Sequence, residues 1–123
     1  MSQATFAILI TAVLLNSVAQ IALKAASRVT GPLELSADTF ASTLWTLAHI
    51  PVLWAGLACY GVSVLLWIAT LSRVEVSLAY PMLSLGYIVA ALAGWYFFDE
   101  SLTLQRIIAI CVIIVGVYLL AKT

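Results

Sequence analysis

The sequence predicts an all-α membrane protein, a four-transmembrane-helix bundle with a short interfacial amphipathic helix between helices 1 and 2. Three observations predict it. Of the 123 residues, 65% are hydrophobic and only 8% are charged, whereas soluble domains hold about 45–50% apolar and about 25% charged residues. Four apolar runs reach the roughly 20 helical residues needed to cross a hydrocarbon layer about 30 Å thick. The charged residues, Lys24, Arg28, Glu34, Asp38, Arg73, Glu75, Asp99, Glu100, Arg106 and Lys122, fall near the ends of those runs or between them. One membrane domain over residues 1–123 is the expected organisation.

The first span covers residues 4–26. Met1–Gln3 is too short for a signal peptide's basic region and no small-residue cleavage pattern stands out, so the span is expected to be retained. It carries Asn16, Gln20 and Lys24 at i, i+4 and i+8, and no acidic residue. Each four-residue step turns only about 40° around a helix, so the three groups form one stripe. Polar groups facing lipid are expensive, so the stripe should face a protein interior or a substrate path. It ends in a cation near the membrane surface, which suits an anionic headgroup, and no acid is expected beside it to compete.

Gly31-Pro32 marks a turn after this span. Ser36 and Asp38 then read as a helix N-terminus, where a side-chain oxygen and a negative charge are both favourable. Phe40, Leu44 and Leu47 follow at i, i+4 and i+7, so residues 36–48 read as an amphipathic helix lying in the headgroup region. An ordered loop with chance periodicity is the plainer alternative.

The second span covers residues 52–71, the third 76–98 and the fourth 102–121. Gln105 and Arg106 sit in the first turns of the last span, where Arg106 can extend its head to the interface. The links at residues 72–75 and 99–101 are so short that the helices they join must be antiparallel neighbours. Trp45, Trp54, Trp67, Trp95 and Tyr96 fall toward span ends and read as interfacial anchors, and His49 beside Pro51 reads as an interfacial residue. In the third span Pro81 removes a backbone donor, so a kink is expected there. Tyr80, Ser84 and Tyr87 lie at i, i+4 and i+7 on one face, either packed with their hydroxyls on backbone carbonyls or completing a groove opposite the first stripe.

Four spans put the N-terminus, Arg73 and Lys122 on one side, and Lys24, Arg28 and Arg106 on the other. That bias is too small to fix orientation. Four helices are also few for enclosing a path, and transporters commonly work through inverted repeats. A homodimer, or a heterodimer with a related four-helix subunit, would supply that symmetry, and Ala109 and Gly116 offer a small-residue stripe for close approach. Cys59 and Cys111 lie inside spans with no spacing that indicates a disulfide or metal site, so small apolar packing is their expected role. With a single His, no carboxylate in a span centre and no nucleophile–base pair, no catalytic constellation is found. An enzyme is therefore not expected, nor is a cofactor, a metal or a nucleic-acid partner.

Several segments resemble the drug/metabolite transporter superfamily, in its four-helix small multidrug resistance branch. They are Asn16-Ser17-Val18-Ala19-Gln20 with Lys24, Val74-Glu75-Val76-Ser77-Leu78-Ala79-Tyr80 with its Pro81–Tyr87 continuation, and Glu100-Ser101-Leu102-Thr103-Leu104 leading to Gly116-Val117. The resemblance covers nearly the whole chain except about residues 29–49. Small multidrug exporters carry a membrane-embedded Glu where Asn16 stands and a Trp where Leu83 stands. Without that acid, proton-coupled export of cationic drugs loses its coupling group and its cation site. Ala79-Tyr80-Pro81-Met82-Leu83-Ser84-Leu85 and the Ser-Val-Ala-Gln segment are instead similar to the paired subunits of aminoarabinose–phospho-undecaprenol flippases, from which the chain departs in its long connection over residues 31–50.

The resemblance implies a multi-pass protein of the bacterial inner membrane that translocates a lipid-linked, phosphate-bearing substrate such as a polyprenyl-phosphate monosaccharide. Lys24, with Arg28 nearby, would attract the phosphate. Asn16 and Gln20 would replace water around sugar hydroxyls, with Tyr80, Ser84 and Tyr87 opposite. A small multidrug or metabolite exporter and a non-transporting membrane subunit of a lipid-modifying complex are the alternatives.

Overall fold

The computed structural model describes residues 2–33 and 36–123. Glu34, one of the charges assigned to the first connection, lies outside the described residues. Among the described residues, four helices are long and apolar enough to cross a membrane: Gln3–Thr30, Pro51–Leu71, Val76–Phe97 and Leu104–Ala121. The protein is a multi-pass integral membrane protein.

Helix α1 spans Gln3–Thr30. Ser2 caps it, its hydroxyl accepting the Thr5 amide at 3.1 Å, and Gly31 ends it at φ 72°, a backbone state that disfavours a side chain. The helix continues one turn beyond the expected residue 26. Helix α2, Phe40–Ala48, fills the connection and buries none of its side chains within the protomer. It starts later than expected. Ser36 does not cap it; the Ser36 carbonyl accepts the Phe40 amide at 3.0 Å, so residues 36–39 form a turn that leads into the helix.

Helix α3, Pro51–Leu71, begins with proline, whose missing amide costs nothing in the first helical turn. It runs antiparallel along α1. Gly56 permits the close approach: a Cβ there would stand 3.0 Å from the Ala22 Cβ and 3.3 Å from the Ala19 carbonyl oxygen.

The third span is divided. Helix α4, Val76–Met82, contains Pro81 and passes through a 3-10 turn at Leu83–Leu85 into helix α5, Gly86–Phe97. The disturbance expected at Pro81 therefore takes the form of a tightened turn just after it. Helix α6, Leu104–Ala121, is capped by Thr103, whose hydroxyl accepts the Arg106 amide at 3.2 Å, and it packs against α4 and the 3-10 turn.

The buried core gathers Leu9 and Val13 of α1, Ala79 and Met82 of α4, and Val117 of α6. By helix direction this core sits at the end that holds both termini. Lys24, Arg28 and Arg106 therefore belong to the opposite end. Trp67, expected as an interfacial anchor, is half-buried and packs against the core instead. Helix direction alone could not reveal this, because the α1–α3 pairing folds its ring inward.

Candidate functional site

Two clefts take up the polar stripe of α1. The first lies midway along the bundle, with a volume of about 260 Å³. Asn16 enters it from α1, Tyr60, Ser63 and Trp67 from α3, and Tyr80 from α4. Tyr60, Ser63 and Trp67 recur at i, i+3 and i+7, so one face of a mostly apolar helix turns toward Asn16. The Ser63 hydroxyl donates to the Tyr60 carbonyl at 2.7 Å, whereas Tyr80 is 65% exposed and its hydroxyl stays available to a ligand.

The second cleft lies between α1 and α5, one to two turns nearer the cationic end, and measures about 200 Å³. Gln20, Ile21 and Lys24 form one wall; Ala90, Gly94, Phe98 and Glu100 form the other. The Gln20 amide donates to the Asn16 side-chain oxygen at 3.3 Å, which links the two clefts along the stripe. The wall opposite Lys24 depends on the chain reversal after α5. Asp99 takes a positive φ of 53°, and the Glu100 amide then donates back to the Gly94 carbonyl at 3.0 Å. This carries the Glu100 carboxylate onto the flank of α5 at Gly94, where a Cβ would collide with Glu100 Oε2.

Lys24 also lines a third cleft of about 380 Å³, with Ser27, Arg28, Gly31, Pro32 and Leu33. Arg28 donates to the Phe97 carbonyl at 3.3 Å and its guanidinium sits 5.5 Å from the centre of the Phe98 ring. The carbonyls that end a helix lack intrahelical donors, so Arg28 completes the C-terminus of α5 as well as adding positive charge.

Of the residues singled out in the sequence, the structure brings Asn16 and Tyr80 together in one cleft and Gln20 and Lys24 together in the next, with Arg28 adjoining Lys24. Ser84 and Tyr87 line neither of the first two clefts. The Ser84 hydroxyl donates to the Pro81 carbonyl at 2.5 Å, and Tyr87 is 55% exposed. The expected single groove is thus two clefts, because the 3-10 turn rotates the residues that follow it. The expectation that no acid stands beside Lys24 is also corrected: Glu100 shares its cleft. Sequence reasoning missed Tyr60, Ser63, Trp67 and Glu100. The i, i+3, i+7 spacing on the second span was a usable signal for the first three; nothing local in the sequence announces the fold-back of Glu100.

A model of the EamA-like transporter family matches residues 3–122. The chain is 36% identical over 118 residues, covering 96% of this chain and 97% of the other, to the "Probable 4-amino-4-deoxy-L-arabinose-phosphoundecaprenol flippase subunit ArnE" of Pseudomonas savastanoi pv. phaseolicola. Proteins of the same name are similar to it in Escherichia coli O127:H6, with 37% identity over 92 residues (73% of this chain, 82% of the other). In Klebsiella pneumoniae the identity is 38% over 77 residues (61% and 68%). No solved structure shows a significant match.

Proposed function

The chain belongs to the EamA-like transporter family, and from that premise we propose that it translocates a lipid-linked, phosphate-bearing headgroup, a polyprenyl-phosphate monosaccharide, across the bacterial inner membrane. The observation that carries this reading is Lys24, an exposed cation lining a cleft between two membrane-spanning helices and continuous, through Gln20 and Asn16, with a polar stripe into the bundle. The names of the curated relatives, which specify an aminoarabinose on phosphoundecaprenol, support the same substrate class.

In this reading the Lys24 ammonium takes the phosphate as a charge-assisted contact. Arg28, held against Phe97, contributes at longer range. Gln20 and Asn16 present amide donors and acceptors to sugar hydroxyls, and Tyr80 presents a phenol to the same cleft. The polyprenyl tail stays in lipid, so no closed cavity is required. The break after Pro81 is the flexing point of the third span. With no titratable acid in a span centre, net movement follows the substrate gradient.

The functional unit is a pair of four-helix subunits, this chain with a copy of itself or with a related chain, because one subunit lacks the inverted repeat that gives two alternating openings. Small, exposed Ala109 and Gly116 on α6 support pairing through that helix; around Gly116 nothing stands within 4 Å of where a Cβ would be.

The test is reconstitution. Vesicles holding the purified chain, alone and with a candidate partner subunit, should expose a labelled polyprenyl-phosphate sugar in the opposite leaflet faster than protein-free vesicles. Equal rates in all preparations would refute the proposal.

A further inference from the structure

Lys24 and Glu100 bring opposite charges to one cleft, from α1 and from the turn after α5. Among the described residues no ion pair joins them. The carboxylate is held there by three features of the chain. Asp99 reverses the backbone in a left-handed state, the Glu100 amide is tied to the Gly94 carbonyl, and Gly94 leaves a bare surface on which the carboxylate rests, with Glu100 Cδ 3.1 Å from where a Cβ would be. Ile21, Ala90 and Phe98 give the rest of the cleft an apolar lining. Glu100 is exposed at the mouth of this cleft, so its charge is open to a cationic group that enters beside Lys24.

Resting on the lipid-translocator reading above, we infer that Glu100 is a specificity-determining residue of this cleft, one that reads a protonated amine on a headgroup whose phosphate is held by Lys24. Such a headgroup is zwitterionic, as is the aminoarabinose lipid in the names of the curated relatives, and a single sugar ring fits a cleft of about 200 Å³. Arg106, which lines the neighbouring cleft with Glu100, is engaged by the Ser101 carbonyl at 2.7 Å. The rival role for Glu100 is that of a counter-ion for Lys24 alone. Under that role its neutralisation would improve binding of every phosphate lipid alike.

Two lipids separate these roles: a polyprenyl phosphate carrying an amino-pentose, and the same lipid with a hydroxyl in place of the amine. Translocation is read in vesicles, and binding of short-chain analogues to the detergent-solubilised protein by native mass spectrometry. A hydrogen bond to a charged group contributes roughly 1.5–3 kcal/mol, so the wild type should favour the amino lipid by about tenfold or more. E100Q should erase that preference, lowering the ratio of amino to neutral lipid to about one, and E100D should keep part of it. Equal treatment of the two lipids by the wild type, or an equal change for both in E100Q, would overturn the inference. Translocation without preference would leave the transporter reading standing and sink this one. A binding preference that disappears in E100Q, in a protein that moves neither lipid, would do the reverse. A protein that neither binds nor moves either lipid overturns both.

Discussion

Gly86, the first residue of α5, lies directly against Ser17 of α1: a Cβ at residue 86 would stand 2.8 Å from the Ser17 Oγ and 3.6 Å from Val13 Cγ1. That hydroxyl is itself buried and donates to the Val13 carbonyl at 2.9 Å, so it has little room to withdraw. The contact sits between the two clefts and sets how closely α5 follows α1.

Gly86→Ala should therefore destabilise the protein, even though alanine favours a helix by about 1 kcal/mol over glycine. Forcing an extra carbon into a packed contact costs about 1–3 kcal/mol. Ser17→Ala removes the oxygen that the new methyl would meet. The double variant Ser17→Ala/Gly86→Ala should thus be more stable than the two single changes predict, with a coupling of about 1 kcal/mol. Unfolding in mixed detergent micelles measures all four species. Strict additivity would show that the helices part at this point.

Lys24→Ala should lower translocation by about tenfold or more, since a hydrogen bond to a charged group contributes roughly 1.5–3 kcal/mol. Lys24→Arg keeps the positive charge and should retain most activity. Vesicle assays on the two variants check this. Wild-type rates in both would remove Lys24 from the phosphate site.

The two tyrosines of the third span should behave differently. Tyr80 shares a cleft with Asn16, whereas Tyr87, beyond the 3-10 turn, lines neither of the clefts on the polar stripe. Tyr80→Phe should slow translocation about fivefold or more, the loss of one hydrogen bond to a sugar hydroxyl being worth about 1 kcal/mol. Tyr87→Phe should change it by less than about twofold. A matched loss in both variants would mean that the third span bends far enough to bring Tyr87 into contact with the substrate.

Much of the fold was legible because the bilayer imposes it. Length, hydropathy and charge placement give the four spans, and period-four spacing gives the stripe of Asn16, Gln20 and Lys24. Pro81 located the irregularity in the third span to within a few residues. The sequence alone did not reveal the features that depend on tertiary contact. Ser84 looked like a partner for the stripe because an unbroken helix would put it on the Tyr80 face; its hydroxyl instead serves the Pro81 carbonyl. Trp67 looked interfacial because it is near a span end, yet the antiparallel register of α1 and α3, set in part by Gly56 against Ala22, folds it toward the core. Glu100 lay in a connecting loop by every local measure. Its position beside Lys24 follows from the reversal at Asp99 and the missing side chain of Gly94.

The outer surface of α6 makes the last prediction. Val117 is its only buried residue, while Ile108, Val112, Val115 and Leu119 are more than half exposed. Lipid can cover such a face, so exposure alone says nothing about pairing. Gly116 distinguishes the cases. A Cβ there would have nothing within 4 Å beyond its chain neighbours and its own helix backbone, and replacing glycine removes a helix-weakening residue. Gly116→Ile should therefore leave the protomer's thermal stability unchanged or slightly raised. If subunits pair by close approach of α6, the same change should weaken association by about tenfold, the effect of roughly 1.4 kcal/mol, because packing in the absence of a hydrophobic driving force depends on small residues at the crossing. Energy transfer between labelled subunits in vesicles, measured against lipid dilution, reads the association directly. Association undiminished in Gly116→Ile would move the pairing surface to another helix.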